Sequence, residues 1–147
     1  MIKKPKRAKP GVDYKPTLGQ VKKKADTVFS KYVRLRDASY QNGNWWCQCI
    51  TCARWLPIKE IQNGHFQSRR FMNTRYNEEN CNPQCTKCNI FNQGEQYKYS
   101  LAVDKKYGPG TAEKLERLAR QPKKWKTWEL DDLIIYWKGK IAEYERR

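Results

Sequence analysis

Four cysteines in two closely spaced pairs are the residues with the clearest chemistry in this sequence. The pairs are Cys49-Ile50-Thr51-Cys52 and Cys85-Thr86-Lys87-Cys88, with thirty-two residues between them. Two C-x2-C knuckles supply four thiolates, which is the ligand set of a closed, tetrahedral structural zinc site. The spacing therefore predicts one structural Zn²⁺ bound by Cys49, Cys52, Cys85 and Cys88.

Two further cysteines stand near the knuckles. Cys47 is an alternative to Cys49 as a ligand, but Cys47 and Cys49 are separated by one residue, which is too tight for a normal knuckle. Cys49 is therefore preferred. Cys81 is assigned to packing, the usual place of a small buried thiol.

The one histidine of the chain, His65, lies between the knuckles. A lone histidine without context is more often structural than catalytic. Here Asn80 stands five residues before Cys85, and Asn89 directly follows Cys88. This order matches the HNH nuclease pattern with its last histidine replaced by asparagine. A zinc ribbon alone would explain the cysteines but not the two asparagines.

Such a site requires particular elements around it. A β-hairpin should end in His65, a loop should carry Asn80, and a helix that begins in the second knuckle should present Asn89. Zinc would join the hairpin to the helix at one end. The expected fold class is α+β, with a small zinc-stapled ββα-metal (HNH, His-Me finger) core flanked by N- and C-terminal helices.

The N-terminal helix is predicted from apolar residues at alternating three- and four-residue steps. Thr17 and Gln20 match a capping box at its start. The predicted inward face consists of Leu18, Val21, Ala25, Val28, Tyr32 and Leu35. The side chains predicted to point outward are Lys22, Lys23, Lys31, Arg34 and Arg36.

The C-terminal third is also predicted to be helical. Tyr97, Leu101 and Asp104 lie at helical spacing before Gly108-Pro109-Gly110, Thr111 can cap a short helix through Leu118, and Thr127 can cap another. The apolar residues of the last helix are Leu130, Leu133, Ile134, Trp137, Ile141 and Tyr144. Trp125, Trp128 and Trp137 are interpreted as packing residues rather than platforms for stacked bases.

The chain of 147 residues has the size of one domain with extensions. Residues 1–16 contain three prolines and Gly11 among lysines, which predicts a flexible basic arm. Residues 17–147 are expected to form a single HNH-type nuclease domain. Within it, residues 17–37 are the N-terminal helix, residues 45–107 the zinc-containing core, and residues 111–147 the C-terminal helices.

The formal net charge is +16, of which +10 falls in residues 1–36. Such an excess predicts a polyanionic partner, because cations that replace counterions on phosphates give a strong attraction that does not depend on base sequence. Solubility alone is the alternative explanation, and for the arm it is a solvated tail. The candidate phosphate contacts are Lys22, Lys23, Lys31, Arg34, Arg69, Arg70 and Arg75.

Each of these candidates has a structural alternative. The helix lysines can form an ordinary solvated face, and the three loop arginines can pair with Glu78 or Glu79. No apolar run of about 18 residues is present, and the first residues lack the apolar stretch of a signal peptide. We therefore expect no membrane contact and a cytoplasmic location, where reduced cysteines favour metal binding over disulfides.

From about Ala25 to Tyr144, the sequence resembles the phage NinG/Rap recombination proteins, relatives of HNH nucleases. The most specific match runs from Arg75-Tyr76-Asn77-Glu78-Glu79-Asn80 into Gln84-Cys85-Thr86-Lys87-Cys88-Asn89. Gly64-His65, Cys49-Ile50-Thr51-Cys52 and Tyr107-Gly108 are in step with it. The resemblance implies a nuclease acting on branched DNA such as Holliday junctions and D-loops, in a phage-infected or prophage-carrying bacterium.

The layout also resembles phage endonuclease VII, a junction resolvase in which an asparagine just after the last knuckle cysteine binds the catalytic metal. By position, that role falls to Asn89. His65, held by a hydrogen bond with the backbone near Asn80, would take a proton from water, while Mg²⁺ or Mn²⁺ on Asn89 would bind the scissile phosphate. The expected products carry 3′-hydroxyl and 5′-phosphate ends.

One position departs from the common HNH pattern. Many of these enzymes place an acidic metal ligand immediately before the histidine, where this chain has Gly64. The catalytic metal would then rely on DNA phosphates, on water, or on Glu95 as a further candidate ligand. A non-catalytic zinc module that binds DNA in phage recombination or replication is the alternative function. A resolvase cutting two opposed strands needs two active sites, so a homodimer is expected.

Overall fold

The computed structural model describes residues 13–147, which form an α+β fold of four α-helices and two small sheets. Helix α1 comes first, followed by five strands and then three more helices. Most of the predicted arm, residues 1–12, lies outside the described residues. The elements are α1 (Leu18–Arg36), β1 (Ala38–Gln41), β2 (Asn44–Gln48), β3 (Trp55–Pro57), a 3-10 turn (Ile58–Glu60), β4 (Ile61–His65), β5 (Cys81–Cys85), a π-helical turn (Lys87–Phe91), α2 (Gln96–Tyr107), α3 (Thr111–Ala119) and α4 (Thr127–Glu145).

Helix α1 begins where the sequence predicts. The Gln20 N–H donates to the Thr17 hydroxyl (3.3 Å), and the Thr17 N–H donates to the Gln20 side-chain oxygen (2.9 Å), so the capping box is confirmed. Its buried residues are Val21, Ala25, Phe29, Tyr32, Val33 and Leu35. Leu18, predicted to be inward, is exposed, because the packed face begins one turn later at Val21.

The main core forms where α1 packs against α4. The ring centroids of Phe29 and Trp137 are 4.6 Å apart, and Tyr76 from the loop after β4 lies within 6 Å of both rings. The predicted apolar stripe of α4 is confirmed, since Leu130, Ile134, Trp137 and Ile141 are buried and Leu133 and Tyr144 are half-buried.

The three tryptophans have different surroundings. Trp137 is in the core, and Trp125 is half-buried with its indole N–H donating to the Met72 carbonyl (2.9 Å). Trp128 is exposed, so the prediction that it packs in the core is wrong. It is nine residues before Trp137, which places it on the opposite face of α4.

Two antiparallel sheets stand between the helices. Strands β1, β2 and β3 form a meander, and β4 pairs with β5 in a separate two-stranded sheet. The β4–β5 register places Ile61 opposite Cys85 and His65 opposite Cys81. The loop of residues 66–80 therefore leaves and re-enters the sheet beside His65.

Helices α2, α3 and α4 lie where they were predicted, but the details at their starts differ. Thr111 and Thr127 were predicted as N-caps, whereas the caps are Gly110 and Lys126. The Ala112 N–H donates to the Asp104 carboxylate (2.8 Å), and the Lys126 N–H donates to Glu129 (2.8 Å). Carboxylates thus satisfy the free N–H groups, which leaves no capping role for the threonine hydroxyls.

Helix α2 turns an unexpected face inward, since its buried residues are Tyr99 and Val103 while Tyr97 and Leu101 are exposed. Among residues 13–147, no helix has the length and apolar character needed to cross a membrane.

Candidate metal centre and active-site cavity

The four predicted zinc ligands come together. The sulfurs of Cys49, Cys52, Cys85 and Cys88 all lie within 4.8 Å of one another. The first knuckle follows β2, and its turn is closed by the Ala53 N–H donating to the Cys49 carbonyl (2.9 Å). The second knuckle begins at the last residue of β5 and runs into the π-helical turn. This sulfur cluster can hold a zinc ion.

Hydrogen bonds inside the cluster favour a thiolate at Cys49. Burial alone would raise the pKa of this thiol, but hydrogen bonds from the Thr51 hydroxyl (3.4 Å) and the Cys85 N–H (3.3 Å) lower the pKa to about 6. The thiolate is the form that binds metal. Four thiolates this close would repel one another, and a bound cation would offset that repulsion.

The other two cysteines lie outside this cluster, as predicted. Cys47 is fully buried and its thiol donates to the Arg34 carbonyl (3.2 Å), and burial raises its pKa to about 11. Cys81 is also fully buried, with its thiol donating to the Arg75 carbonyl (3.5 Å). Both therefore serve as packing residues, and Cys49 rather than Cys47 is in the cluster.

A cavity of about 560 Å³ opens beside the β4–β5 sheet. It brings together His65 from the end of β4 and Asn89 from the π-helical turn, two of the residues predicted for catalysis. The remaining polar residues of its wall are Asp26, Ser30, Asn63, Gln67, Ser68, Arg69, Gln93 and Gln96.

His65 is held by one ring nitrogen. Its Nε2 lies 2.9 Å from the Arg75 carbonyl oxygen, which can only accept a hydrogen bond, so Nε2 carries the proton and Nδ1 is left as an acceptor. The predicted partner was the backbone near Asn80, and this detail is wrong because the loop folds back to place Arg75 nearer. Burial lowers the pKa of His65, which favours the neutral ring.

Asn80, the third residue predicted for catalysis, is completely buried and does not line the cavity. Its side-chain oxygen accepts from the Gln67 N–H (2.7 Å), and its side-chain nitrogen donates to the carbonyls of Gln67 (3.0 Å) and Thr74 (3.1 Å). The Phe66 N–H also donates to the Asn80 carbonyl (2.8 Å). Asn80 thus closes the loop that carries Arg75 and acts on His65 as a positioning residue.

Asn89 is fixed through its amide nitrogen. Its Nδ2 donates to the Gln62 side-chain oxygen at 2.7 Å. Gln62 lies on β4, so this bond ties the π-helical turn to the strand that ends in His65. The side-chain oxygen of Asn89 takes no part in this bond, and it is an oxygen ligand of the type that Mg²⁺ accepts.

Glu95, the candidate extra ligand, does not line the cavity. Its carboxylate accepts from the Asn92 amide (2.8 Å) and lies 3.8 Å from the Lys98 ammonium. Glu95 is the N-cap residue of α2 and has a left-handed backbone (φ 51°). Its side chain was expected to reach the catalytic metal from within a helix, whereas it stands at the bend before the helix begins.

Gly64 has no room for a side chain. A Cβ at this position would lie 2.3 Å from the Gln84 side-chain oxygen and 2.7 Å from the Gln84 Cβ. Gln84 is completely buried and donates to the Gly94 carbonyl (2.9 Å), which holds it in place. An acidic ligand before His65 is therefore excluded by packing.

The carboxylate on the cavity wall is that of Asp26, which was not among the residues predicted from the sequence. It accepts two hydrogen bonds from the Arg75 guanidinium, one of them at 2.9 Å. The one sequence feature that could have pointed to Asp26 is that it is the only acidic residue in α1. No local spacing connects it to His65, because the two are 39 positions apart.

Comparison with known proteins agrees with the sequence resemblance. A sequence model of the family described as Bacteriophage Lambda NinG protein matches residues 4–147. The chain belongs to the NinG family. Membership of this phage family suggests a role in phage recombination. No curated protein and no solved structure matches the chain.

In this NinG-family chain, several of the predicted phosphate contacts are engaged within the protein. Arg75 pairs with Asp26 rather than with Glu78 or Glu79, and Lys31 pairs with Glu145 at 2.7 Å. The Arg34 guanidinium is half-buried and donates to the Ser30 carbonyl (3.1 Å).

Arg36 was predicted to point outward, and that prediction is wrong. Its guanidinium donates to Asp37 (2.7 Å) and to the carbonyls of Glu78 (2.9 Å) and Cys81 (3.1 Å). A planar group with five N–H donors can join α1 to the start of β5, which draws it inward.

The remaining predicted basic residues are more accessible. Lys23, Arg69 and Arg70 are exposed, and Lys22 is half-buried. Arg69 also lines the cavity, and the Arg70 guanidinium lies 4.8 Å from the centre of the Phe71 ring.

Proposed function

We propose that this chain is a metal-dependent endonuclease that hydrolyses phosphodiesters in branched DNA during phage recombination, with an HNH-type ββα-metal core. The observation that carries the proposal is the cavity shared by His65 and Asn89. Each has one polar atom bound by the protein and a second atom of the right type for catalysis. The shared cavity, rather than either hydrogen bond alone, supports the proposal.

His65 is the general base. Its Nδ1 accepts a proton from the attacking water, and the Arg75 carbonyl, which accepts from Nε2–H, stabilises the imidazolium that forms. The bond to Arg75 also fixes the ring orientation, and the Asn80 hydrogen bonds hold the loop that supplies this carbonyl. The lowered pKa keeps the ring neutral and ready to accept at neutral pH.

The side-chain oxygen of Asn89 would hold a divalent cation. Mg²⁺ or Mn²⁺ bound there would supply positive charge to the scissile phosphate and the leaving oxygen. With Gly64 unable to carry an acid, the cation would also need oxygen ligands from DNA phosphates and water. Hydrolysis by this route leaves 3′-hydroxyl and 5′-phosphate ends.

The zinc cluster has a separate, structural role. It joins the first knuckle after β2 to the second knuckle, from which the π-helical turn projects Asn89. Zinc bound by four sulfurs has no open position for water or substrate. The cluster therefore positions Asn89 and takes no part in the hydrolysis.

DNA binding is supported by the charge of the chain and by the placement of basic side chains. The formal net charge is +16, and Arg69 lies on the wall of the proposed active site. Exposed Lys23 and Arg70 are free of ion pairs within residues 13–147 and can reach phosphates. We propose these three as the first contacts to test.

A non-catalytic zinc module that binds DNA is the second candidate. The observation in its favour is that the cavity carries little negative charge. Gly64 excludes an acidic ligand, and the carboxylate of Asp26 is neutralised by Arg75. A site with so little negative charge binds a free divalent cation weakly.

Cleavage of labelled four-way junction, flap and duplex DNA, with and without Mg²⁺, tests the proposal. We expect the wild type to cut the branched substrates when Mg²⁺ is present and Asn89→Ala to lose this activity. Asn89→Asp should retain activity, because the added negative charge tightens metal binding. Asn92→Ala, in the same segment but outside the cavity, is the control and should cut normally.

The two candidates give opposite results in this experiment. If the wild type binds these DNAs but cuts none of them with Mg²⁺ or Mn²⁺, the non-catalytic module is correct. If Asn89→Ala cuts as well as Asn92→Ala, the metal site has been placed wrongly.

A further inference from the structure

The outer face of α4 is apolar at its centre and is not covered by any of the residues 13–147. Trp128 is 61% exposed and Ile135 is 70% exposed. They are seven positions apart, and Ala142 continues the same spacing. Asp132 and Gly139, both exposed, lie between them, so the face advances in steps of four and three residues, as in the contact face of a coiled coil.

We propose that this face binds the same face of a second copy of the chain, with the two α4 helices antiparallel and the two-fold axis passing beside Ile135. In this arrangement Ile135 meets Ile135 of the second copy. Trp128, seven residues before the axis, meets Ala142 of the second copy, seven residues after it. A large side chain is thus placed against a small one at both ends.

The small residues leave room for the large ones. A Cβ at Gly139 would have no heavy atom within 4 Å, so the surface is open at this point. An isologous contact repeats each pairing twice, which makes a single face complementary to itself. The sequence of large and small residues along α4 fits only the antiparallel direction, because a parallel pair would oppose Trp128 to Trp128.

The charges beside this face are complementary in the same direction. Asp131 and Lys138 lie seven residues apart on one flank and are not in ion pairs within the described part of the chain. Asp131 lies four residues before the axis and Lys138 three after it, so the antiparallel arrangement places Asp131 about one residue, or about 1.5 Å, from the level of Lys138 of the second copy, twice by symmetry. A parallel pair would place like charges together, at a cost in free energy.

A second copy fits this face better than DNA does. The first half of α4 carries Glu129, Asp131 and Asp132, which would repel phosphates. The contact from Trp128 to Ala142 is about 21 Å long at about 1.5 Å per residue. Such a short contact lies near the lower limit of specific interfaces, so we expect a dimer that dissociates reversibly on dilution. The inference does not depend on nuclease activity.

Sedimentation equilibrium of the nucleic-acid-free protein, over roughly 1–200 µM, tests the contact. The wild type should shift from monomer to dimer, and Ile135→Lys should remain a monomer because it places two ammonium groups at the axis. Leu101→Lys, at an exposed position on α2, is the control and should dimerise like the wild type. A wild type that stays monomeric throughout, or an Ile135→Lys variant that dimerises normally, overturns the proposal.

Exchange of the flanking charges tests the direction of the pairing. Asp131→Lys alone and Lys138→Asp alone should each weaken dimerisation at least tenfold, because like charges then meet twice. An equimolar mixture of the two variants should dimerise again, since every lysine then faces an aspartate. If the mixture stays as weak as the separate variants, the antiparallel contact is wrong. Both substitutions are at exposed positions, and circular dichroism checks that the fold is kept.

Discussion

At the scale of single residues, the hydrogen bonds already made by a polar group determine what its remaining atoms can do. His65 gives Nε2–H to the Arg75 carbonyl, and Asn89 gives Nδ2–H to Gln62. Each is therefore held in one orientation before substrate arrives. In the proposed mechanism, a base and a metal ligand held in this way would need little reorganisation in the transition state.

If His65 is the general base, as proposed, the pH dependence of cleavage should follow from its environment. The general base must be unprotonated, so the rate should rise as the ring loses its proton and then level off. Burial lowers the pKa of His65 from its ordinary value of 6.5, so the midpoint of this rise should lie below pH 6.5. Single-turnover rates at saturating enzyme measure it. A midpoint above pH 6.5 would show that another group is the base.

Gly64 supports a prediction about stability. In Gly64→Ala, the new Cβ would overlap buried Gln84, and overpacking of this kind lowers the free energy of unfolding by roughly 1–3 kcal/mol. Gly19→Ala in α1 is the matched control, since its nearest heavy atom would be 4.0 Å away and alanine favours the helix by up to about 1 kcal/mol. Urea unfolding of both variants compares them. Equal or higher stability of Gly64→Ala would contradict the packing described.

At the scale of elements, the sulfur cluster connects the two sheets, which are also joined by the Ile50 N–H donating to the Pro83 carbonyl (2.9 Å). The first knuckle connects β2 to β3 in the three-stranded sheet, and the second knuckle begins at the last residue of the two-stranded sheet. Zinc binding in such a site contributes to folding free energy, because the unfolded chain has no preformed site. The position of Asn89 depends on the same connection.

Metal analysis of the purified chain should find one zinc ion per molecule. Cys85→Ser should lose this zinc and much of the fold, since Cys85 is both a ligand and the last residue of β5. Cys47→Ser is the control: its hydroxyl can keep the bond to the Arg34 carbonyl, so zinc should be retained. Folded wild-type protein without zinc, or Cys85→Ser with full zinc content, would contradict the assignment of these cysteines as zinc ligands.

The sequence predicts those elements whose signals are local. The periodicity of α1 and α4 and the two C-x2-C spacings were sufficient to place the helices and the sulfur cluster. The strand that ends in His65 also lies where the site required it. In each case the decisive residues lie within one element, or within two knuckles that a common metal must bring together.

Features that depend on distant partners could not be predicted in the same way. Asp26 reaches the cavity wall only because α1 packs beside β4, and Arg75 turns to it across 49 positions. Arg36 points inward for a similar reason. Trp128 is the opposite case, because apolar composition alone does not distinguish a core residue from one on an exposed helix face.

At the scale of the whole molecule, some of the positively charged side chains are paired within the protein and others are accessible at its surface. Lys31 pairs with Glu145 on α4, whereas Lys23, eight residues earlier on α1, is exposed and has no ion pair within residues 13–147. The arm of residues 1–16 adds a further group of lysines. Only cations that replace counterions on phosphates contribute to salt-dependent binding.

The salt dependence of DNA affinity should reflect this division. Removing one cation that neutralises a phosphate lowers the slope of log affinity against log salt by about 0.9 on duplex DNA. Lys23→Gln should reduce the slope by about this amount, deletion of residues 1–16 should reduce it further, and Lys31→Gln should leave it nearly unchanged. Fluorescence anisotropy with labelled DNA measures the slopes. Equal slopes for wild type, Lys23→Gln and the deletion would show that the arm and α1 are merely solvated.

The nuclease proposal depends above all on His65, and the decisive measurement is the rate at which His65→Ala cleaves a four-way junction with Mg²⁺, compared with wild type under single-turnover conditions. We expect the rate to fall by about 10²–10⁴, the usual contribution of a general base, while zinc content, unfolding midpoint and junction affinity stay at the wild-type values. Unchanged cleavage by His65→Ala would contradict the proposal, because the nuclease would then lie elsewhere. Loss of zinc or of the fold in this variant would also contradict it, because His65 would then be a structural residue.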